Sequence, residues 1–167
     1  MAPDELVGAD RLMVMSIHPR HVQAILRGIK TVELRRTRPD IEPGQPVAIY
    51  ATTPSAALVA TCQIARIQVD TPARLWAAVH DNAAVRRQEY DDYFDGAEVA
   101  VALHLSAVTP LTDAVTLSQM RSAGPFTPPQ TWHFFDRGRL SALLGRHPST
   151  PVLTGLLSEL TAGLSEV

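Results

Sequence analysis

The chain has 167 residues, 46% of them hydrophobic and 19% charged, which is enough apolar material for one ordinary globular core. No apolar run approaches the ~20 residues of a membrane-spanning helix, and the amino-terminal MAPDELVGAD is acidic where a leader would be basic, so a cytoplasmic protein with no membrane partner is expected. The formal charge is −2, yet residues 11–38 carry +6 and the remainder −8, a distribution that points to one local anionic ligand rather than a coating of nucleic acid.

After a polar lead-in over residues 1–11, the short apolar run Leu12 to Ile17 suits a buried strand. Pro19 fits the first turn of a helix, and Val22, Ile25 and Leu26 recur at helical spacing until Gly28 stops it. From Thr31 to Arg36 the pattern alternates, so Val32 and Leu34 face one side and Thr31, Glu33 and Arg35 the other, as in a half-buried strand. Turn residues around Pro43-Gly44 and Pro54-Ser55 bound two further strands, Val47 to Thr52 and Ala57 to Val69, expected to pair antiparallel. Thr71-Pro72 reads as a helix cap and first helical residue, and residues 83–93 fit a second short helix. Ala97 to Val108 returns to period two. A short helix over Leu117 to Ser122, a proline loop and an aromatic closing strand at Trp132 to Phe135 follow. Residues 12–146 thus form one domain, and 147–167 add an amphipathic helix whose leucines pack on that domain or offer a face for a homodimer. Five or six strands with connections too short for crossovers predict an α+β fold built on a small β-barrel.

Fourteen of the fifteen basic residues are arginine, and Lys30 is the exception. It stands between a helix stop and a strand start, and a lysine, unlike arginine, can lose its proton when desolvated and serve as a base. Glu33 and Arg35 share a strand face with each other, either as a surface ion pair or pointing into a cleft where Arg35 forks onto a phosphate or base edge. Ser16 and His18 end the first strand and Tyr50 ends a neighbouring one, which would converge polar and aromatic groups at one rim. The six histidines show no metal-ligand spacing, so no metal and no cofactor are expected. Cys62, the only cysteine, sits in an apolar run and reads as a buried structural thiol. Trp76, Trp132, Phe134 and Phe135 read as core plugs, and Asp91, Asp92, Asp95 and Glu98 as a solvated turn.

Gly28-Ile29-Lys30-Thr31-Val32-Glu33-Leu34-Arg35, preceded by Ser16-Ile17-His18-Pro19 and a short helix, resembles the Gly-x-Lys-x-x-Glu-x-Arg signature of the ASCH family. Ile49-Tyr50-Ala51, Tyr93-Phe94-Asp95-Gly96 and Pro128-Pro129-Gln130-Thr131-Trp132 extend the resemblance over about residues 12 to 135. It implies a PUA-like β-barrel with a helix beside a cleft, and a role tied to RNA or modified nucleosides. Some family members remove an acyl group from N4-acylated cytidine with the motif lysine and a threonine three residues on, where this chain has Glu33. Others are ribonucleases or RNA-binding modules. The expected function is therefore binding of RNA or a nucleotide-like ligand by Arg35, Arg36, His18, Ser16, Tyr50 and Gly28 around the motif. The alternatives are a hydrolase of RNA or of N4-acylated cytidine, with Lys30 and Glu33 catalytic, and a protein-interaction module.

Overall fold

The structure is a computed structural model that describes residues 10–165, with side chains through Leu157. Most of the expected lead-in, and the side chains of Leu160 and Leu164, lie outside the described residues. Six strands, β1 (Arg11–Ile17), β2 (Val32–Arg35), β3 (Gln45–Ala51), β4 (Ala57–Asp70), β5 (Ala100–Thr116) and β6 (Trp132–Asp136), form one mixed sheet in the order β2-β5-β4-β3-β1-β6. Six helices accompany them: α1 (Pro19–Leu26), α2 (Pro72–Ala83), α3 (Arg87–Tyr93), α4 (Leu117–Ala123), α5 (Arg137–Leu144) and α6 (Thr150–Ser165). The fold is α+β, as the sequence indicates.

β1 and β3 run parallel, because the chain between them leaves the pair to form α1 and to place β2 at the far edge against β5. β3 and β4 pair antiparallel as expected, and so do β4 and β5. Register shifts at Ile49/Tyr50, Leu58/Ala60, Thr61/Gln63 and Ile64/Arg66 mark bulges, which bend strands and increase their twist. The sheet consequently rolls: Arg35 of the edge strand β2 reaches the Ser16 carbonyl of β1 at 2.9 Å, although three strands separate them in the order. No strand pair joins β2 to β1 or β6 among the described residues, so the hydrogen-bonded sheet is open.

Period-two alternation sorts the core into three clusters. Met13, Met15 and Ile17 of β1 face inward with Val47, Ile49, Cys62, Ile64, Val101 and Leu103, and α1 adds Val22 and Ile25 to them. Leu12, Val14, Ala48 and Tyr50 face outward and are covered by Met120, Phe135, Leu140 and Leu153 from the C-terminal third. Val32 and Leu34 face outward on the other side, against Leu75 and Val79 of α2 and Tyr90 and Phe94 at α3. The C-terminal helix lays Leu153 and Leu157 on its own domain. Phe135 is a core plug, and Trp76, Trp132 and Phe134 pack against the clusters, as read from the sequence.

The short α4 has too few residues to stand by propensity alone and is held by a capping box, in which Thr116 accepts from Gln119 N–H at 3.1 Å and Gln119 accepts from Thr116 N–H at 2.9 Å. Thr116→Ala is expected to lower stability by about 1 kcal/mol. A lower urea midpoint at unchanged slope is the measurement that checks it.

Candidate functional site

The open seam of the rolled sheet, between β1 and β2, is bridged by α1 and gathers buried charged side chains beside a cavity. α1 is delivered by His18, whose imidazole caps the helix by accepting the Arg20 backbone N–H at 3.2 Å. Gly28, at φ 75°, ends the segment in a conformation that only glycine adopts freely, and the Ile29 and Lys30 amides turn back onto the Ala24 carbonyl. That turn feeds Lys30 into the interior, where it is 2% exposed. Its Nζ donates to the carbonyl of Ala83, the last residue of α2, at 2.5 Å and lies 3.8 Å from Glu33 Oε2. The ammonium thus meets an orphan carbonyl at the negative end of a helix. Burial pushes the Lys30 pKa down, Glu33 opposes this, and Arg35 and Arg20 add to the lowering.

Alternation in β2 turns Glu33 and Arg35 to the seam, while Val32 and Leu34 enter the outer cluster. The strand is more deeply buried than a half-buried strand, because the rolled sheet covers one face and α2 with α3 the other. Glu33 is 5% exposed. Its Oε1 takes Arg35 Nη1 at 3.0 Å, whereas Oε2 is buried without a hydrogen-bond partner, as is Arg35 Nε. Such groups are rare in folded interiors, and Oε2 has the Lys30 ammonium at 3.8 Å as its nearest charge.

Above this trio lies a cavity of about 280 Å3, whose wall includes His18, His21, Glu33, Arg35 and Tyr93. Tyr93 is 40% exposed and presents a ring at the mouth. Glu89 of α3 crosses the opening to α1: it accepts from Arg20 Nη2 at 2.6 Å and from Arg86 Nε at 2.9 Å. These bonds, Arg20's first, lower the Glu89 pKa to about 2. His21 is lowered to about 4, mostly by burial and then by the charges of Lys30 and Arg20.

Of the residues singled out in the sequence, Lys30, Glu33, Arg35, His18 and Ser16 come together at this cavity. Ser16 contributes its carbonyl to Arg35, while its hydroxyl donates to Pro129 O at 2.6 Å. Gly28 shapes the turn and Arg36 donates to the Tyr93 and Asp95 carbonyls at 2.9 and 3.1 Å, anchoring the end of α3 without lining the cavity. Tyr50 is level with Ser16 in the β1–β3 register but belongs to the outward cluster beside Phe126. His21, Glu89 and Tyr93 were not singled out as site residues. His21 carried a signal in the sequence, three residues after His18 on one helix face, and Tyr93 stood in a segment that carries the family resemblance. Cys62 is a free, buried thiol pushed up to about 12, mainly by burial, which makes it inert. A wider open groove of about 640 Å3 beside Ser55, Thr116 and Arg121 has a single charged residue in its wall, and Arg121 Nε already donates to Phe126 O at 3.2 Å.

The ASCH domain family matches residues 15–109, a span that contains the whole trio and α1. An ASCH domain-containing ribonuclease of Zymomonas mobilis subsp. mobilis is 34% identical over 122 residues, covering 71% of this chain and 82% of that protein. The crystal structure of ASCH from Zymomonas mobilis aligns with a TM-score of 0.74 at 29% identity over 81% of this chain and 94% of that one. The N-terminal domain of Staphylothermus marinus McrB, at 11% identity and a TM-score of 0.51, shares the fold alone over 81% of this chain and 93% of that one.

Proposed function

The chain belongs to the ASCH domain family, and from that membership we propose that it binds RNA by taking one unpaired nucleotide into the cavity at the β1–β2 seam. The observation that carries this is the buried Glu33 Oε2, an acceptor without a hydrogen-bond partner beside a cavity that also holds Lys30 and Arg35, with Glu89 as its second acid. An exocyclic amine or ring N–H of a base supplies that donor. Arg35, whose Nε is also free of partners, donates to an acceptor on the same base edge or to the adjoining phosphate. The exposed Tyr93 ring offers a stacking surface at the mouth. At about 280 Å3 the cavity lies at the small end of ligand pockets, which run from about 300 to 1,000 Å3, and suits a single nucleoside-sized group rather than a duplex.

A second interpretation is favoured by the Zymomonas mobilis relative, which is described as a ribonuclease: cleavage of the strand that the cavity holds. Binding is tested by fluorescence anisotropy with a mixed-sequence single strand of RNA and with its duplex. The single strand is expected to bind with log Kd rising with log salt at a slope of about 0.7 per phosphate contact. The duplex is expected to bind at least about tenfold more weakly, since its bases are not splayed out. Equal affinity for both, or affinity indifferent to salt, would overturn the proposal.

A further inference from the structure

We infer that His21 is the proton acceptor of an RNA-cleaving reaction at this cavity, taking the proton of a ribose 2′-hydroxyl; the inference rests on the ribonuclease interpretation above. His18 and His21 stand three residues apart at the start of α1, both border the cavity, and their ring centroids are 6.4 Å apart.

Arg20 sets the tautomers of both rings. His18 Nδ1 accepts the Arg20 backbone N–H at 3.2 Å, so its proton resides on Nε2. His21 Nε2 lies 3.4 Å from Arg20 Nη2, and a guanidinium only donates, so Nε2 is the nitrogen that carries the lone pair, held by Arg20 in a long contact that a ribose hydroxyl would have to displace. The cavity wall therefore carries an N–H donor on His18 and, on His21, an Nε2 acceptor whose present donor is Arg20.

His21 is also kept unprotonated. The groups that face it are Arg20 and His18 from its own helix and cap, Lys30 from the following turn and Glu89 from α3; Glu33 and Arg35 of β2 complete the cavity wall. Cations outweigh acids in that set, and burial acts in the same direction, giving the pKa of about 4. The other bases in reach are ion-paired, and Glu33 Oε2 is buried behind the wall that His21 faces. Lys30 donates its ammonium to Ala83 O beside Glu33, and the Glu33 Oε1 is tied to Arg35. The partially buried imidazole of His21 is open to the cavity.

The step balances without an added reactant other than water. The proton of the 2′-hydroxyl passes to His21 Nε2 as the 2′-oxygen bonds to phosphorus and the bond from phosphorus to the 5′-oxygen breaks. That 5′-oxygen takes a proton from solvent water, leaving a 2′,3′-cyclic phosphate on one fragment and a 5′-hydroxyl on the other. The imidazolium returns its proton to the hydroxide so formed. Arg35, which lines the same cavity, faces the charge that develops on the phosphoryl oxygens.

The test uses the full chain and an RNA decamer whose cut site has been mapped, with a second decamer carrying a single 2′-deoxy residue at that site. Binding is followed by anisotropy and products by mass. Wild type is expected to release a 2′,3′-cyclic phosphate from the first strand and to leave the second uncut. His21→Gln should bind within about threefold of wild type, which also shows that it is folded, and cleave at least about 100-fold more slowly. The acid limb of wild-type kcat/KM should fall near 4 rather than at the usual histidine value of 6.5. Wild-type cleavage by His21→Gln, cutting of the deoxy strand, binding without cleavage by wild type, or loss of binding together with cleavage in His21→Gln would each overturn the inference and leave RNA binding in place. No binding and no cleavage by wild type would overturn both.

Discussion

Replacing Glu33 with alanine is expected to lower the free energy of unfolding by about 3–5 kcal/mol, the cost of removing one partner from a buried ion pair. Glu33 is the only carboxylate among the cavity-lining residues of β2 and the Lys30 turn, and it balances Lys30, which is 2% exposed, and Arg35. Without it two cations remain in a region from which water is largely excluded, and Lys30 keeps only the Ala83 carbonyl. Urea denaturation gives the result directly as a lower midpoint. A triple variant, Lys30→Met with Glu33→Leu and Arg35→Met, should recover most of the loss, since apolar replacement of a whole buried network is often neutral or stabilising. A loss below about 1 kcal/mol in Glu33→Ala would show that the trio behaves as a surface pair.

Arg35→Ala is expected to weaken binding of single-stranded RNA by about 10- to 100-fold, the worth of one forked contact. The guanidinium is held from two sides, by the Ser16 carbonyl at 2.9 Å and by Glu33 at 3.0 Å, so it is oriented before the ligand arrives. Its Nε is buried without a hydrogen-bond partner and is the donor proposed for the ligand. Arg35→Lys should not restore affinity, because an ammonium cannot reproduce the planar fork. Affinity equal to wild type in Arg35→Lys would mean that charge alone is recognised. A thermal melt of both variants separates this effect from loosening of the β2–β1 seam that Arg35 also ties.

Why so much of the site was legible in the sequence is a matter of range. The Gly28 stop, the Lys30 turn and the alternation of Val32 and Leu34 against Glu33 and Arg35 are local, and the structure keeps each. The partner of β2 is not local: β5 lies about seventy residues on, and nothing in a four-residue strand names it. Tyr50 shows the limit within a strand. Residues 45–51 are buried throughout, so no polar alternation reveals which face each occupies. Ser16 and Tyr50 do stand level, but the chain after Thr116 covers the Tyr50 face, and that packing is set by residues far downstream. Glu89 and Tyr93 lie in the stretch read as a short helix, Tyr93 where it meets the acidic run read as a solvated turn, and Asp91 and Asp92 do bond only within α3. Only the docking of α3 on β2 turns its opposite edge over the cavity, with Tyr93 Oη donating to Leu34 O at 3.3 Å.

The central claim is that RNA enters this cavity rather than lying across the basic surface outside it. Val85 lines the wall from the loop between α2 and α3 and takes no part in the Lys30–Glu33–Arg35 network. Val85→Trp fills the space and changes no charge. Anisotropy titration of a labelled single-stranded RNA hexamer should give saturable binding to wild type and at least about tenfold weaker binding, or 1.4 kcal/mol, to Val85→Trp with its melt intact. Equal affinity in the two proteins would contradict the claim and place the RNA outside the cavity.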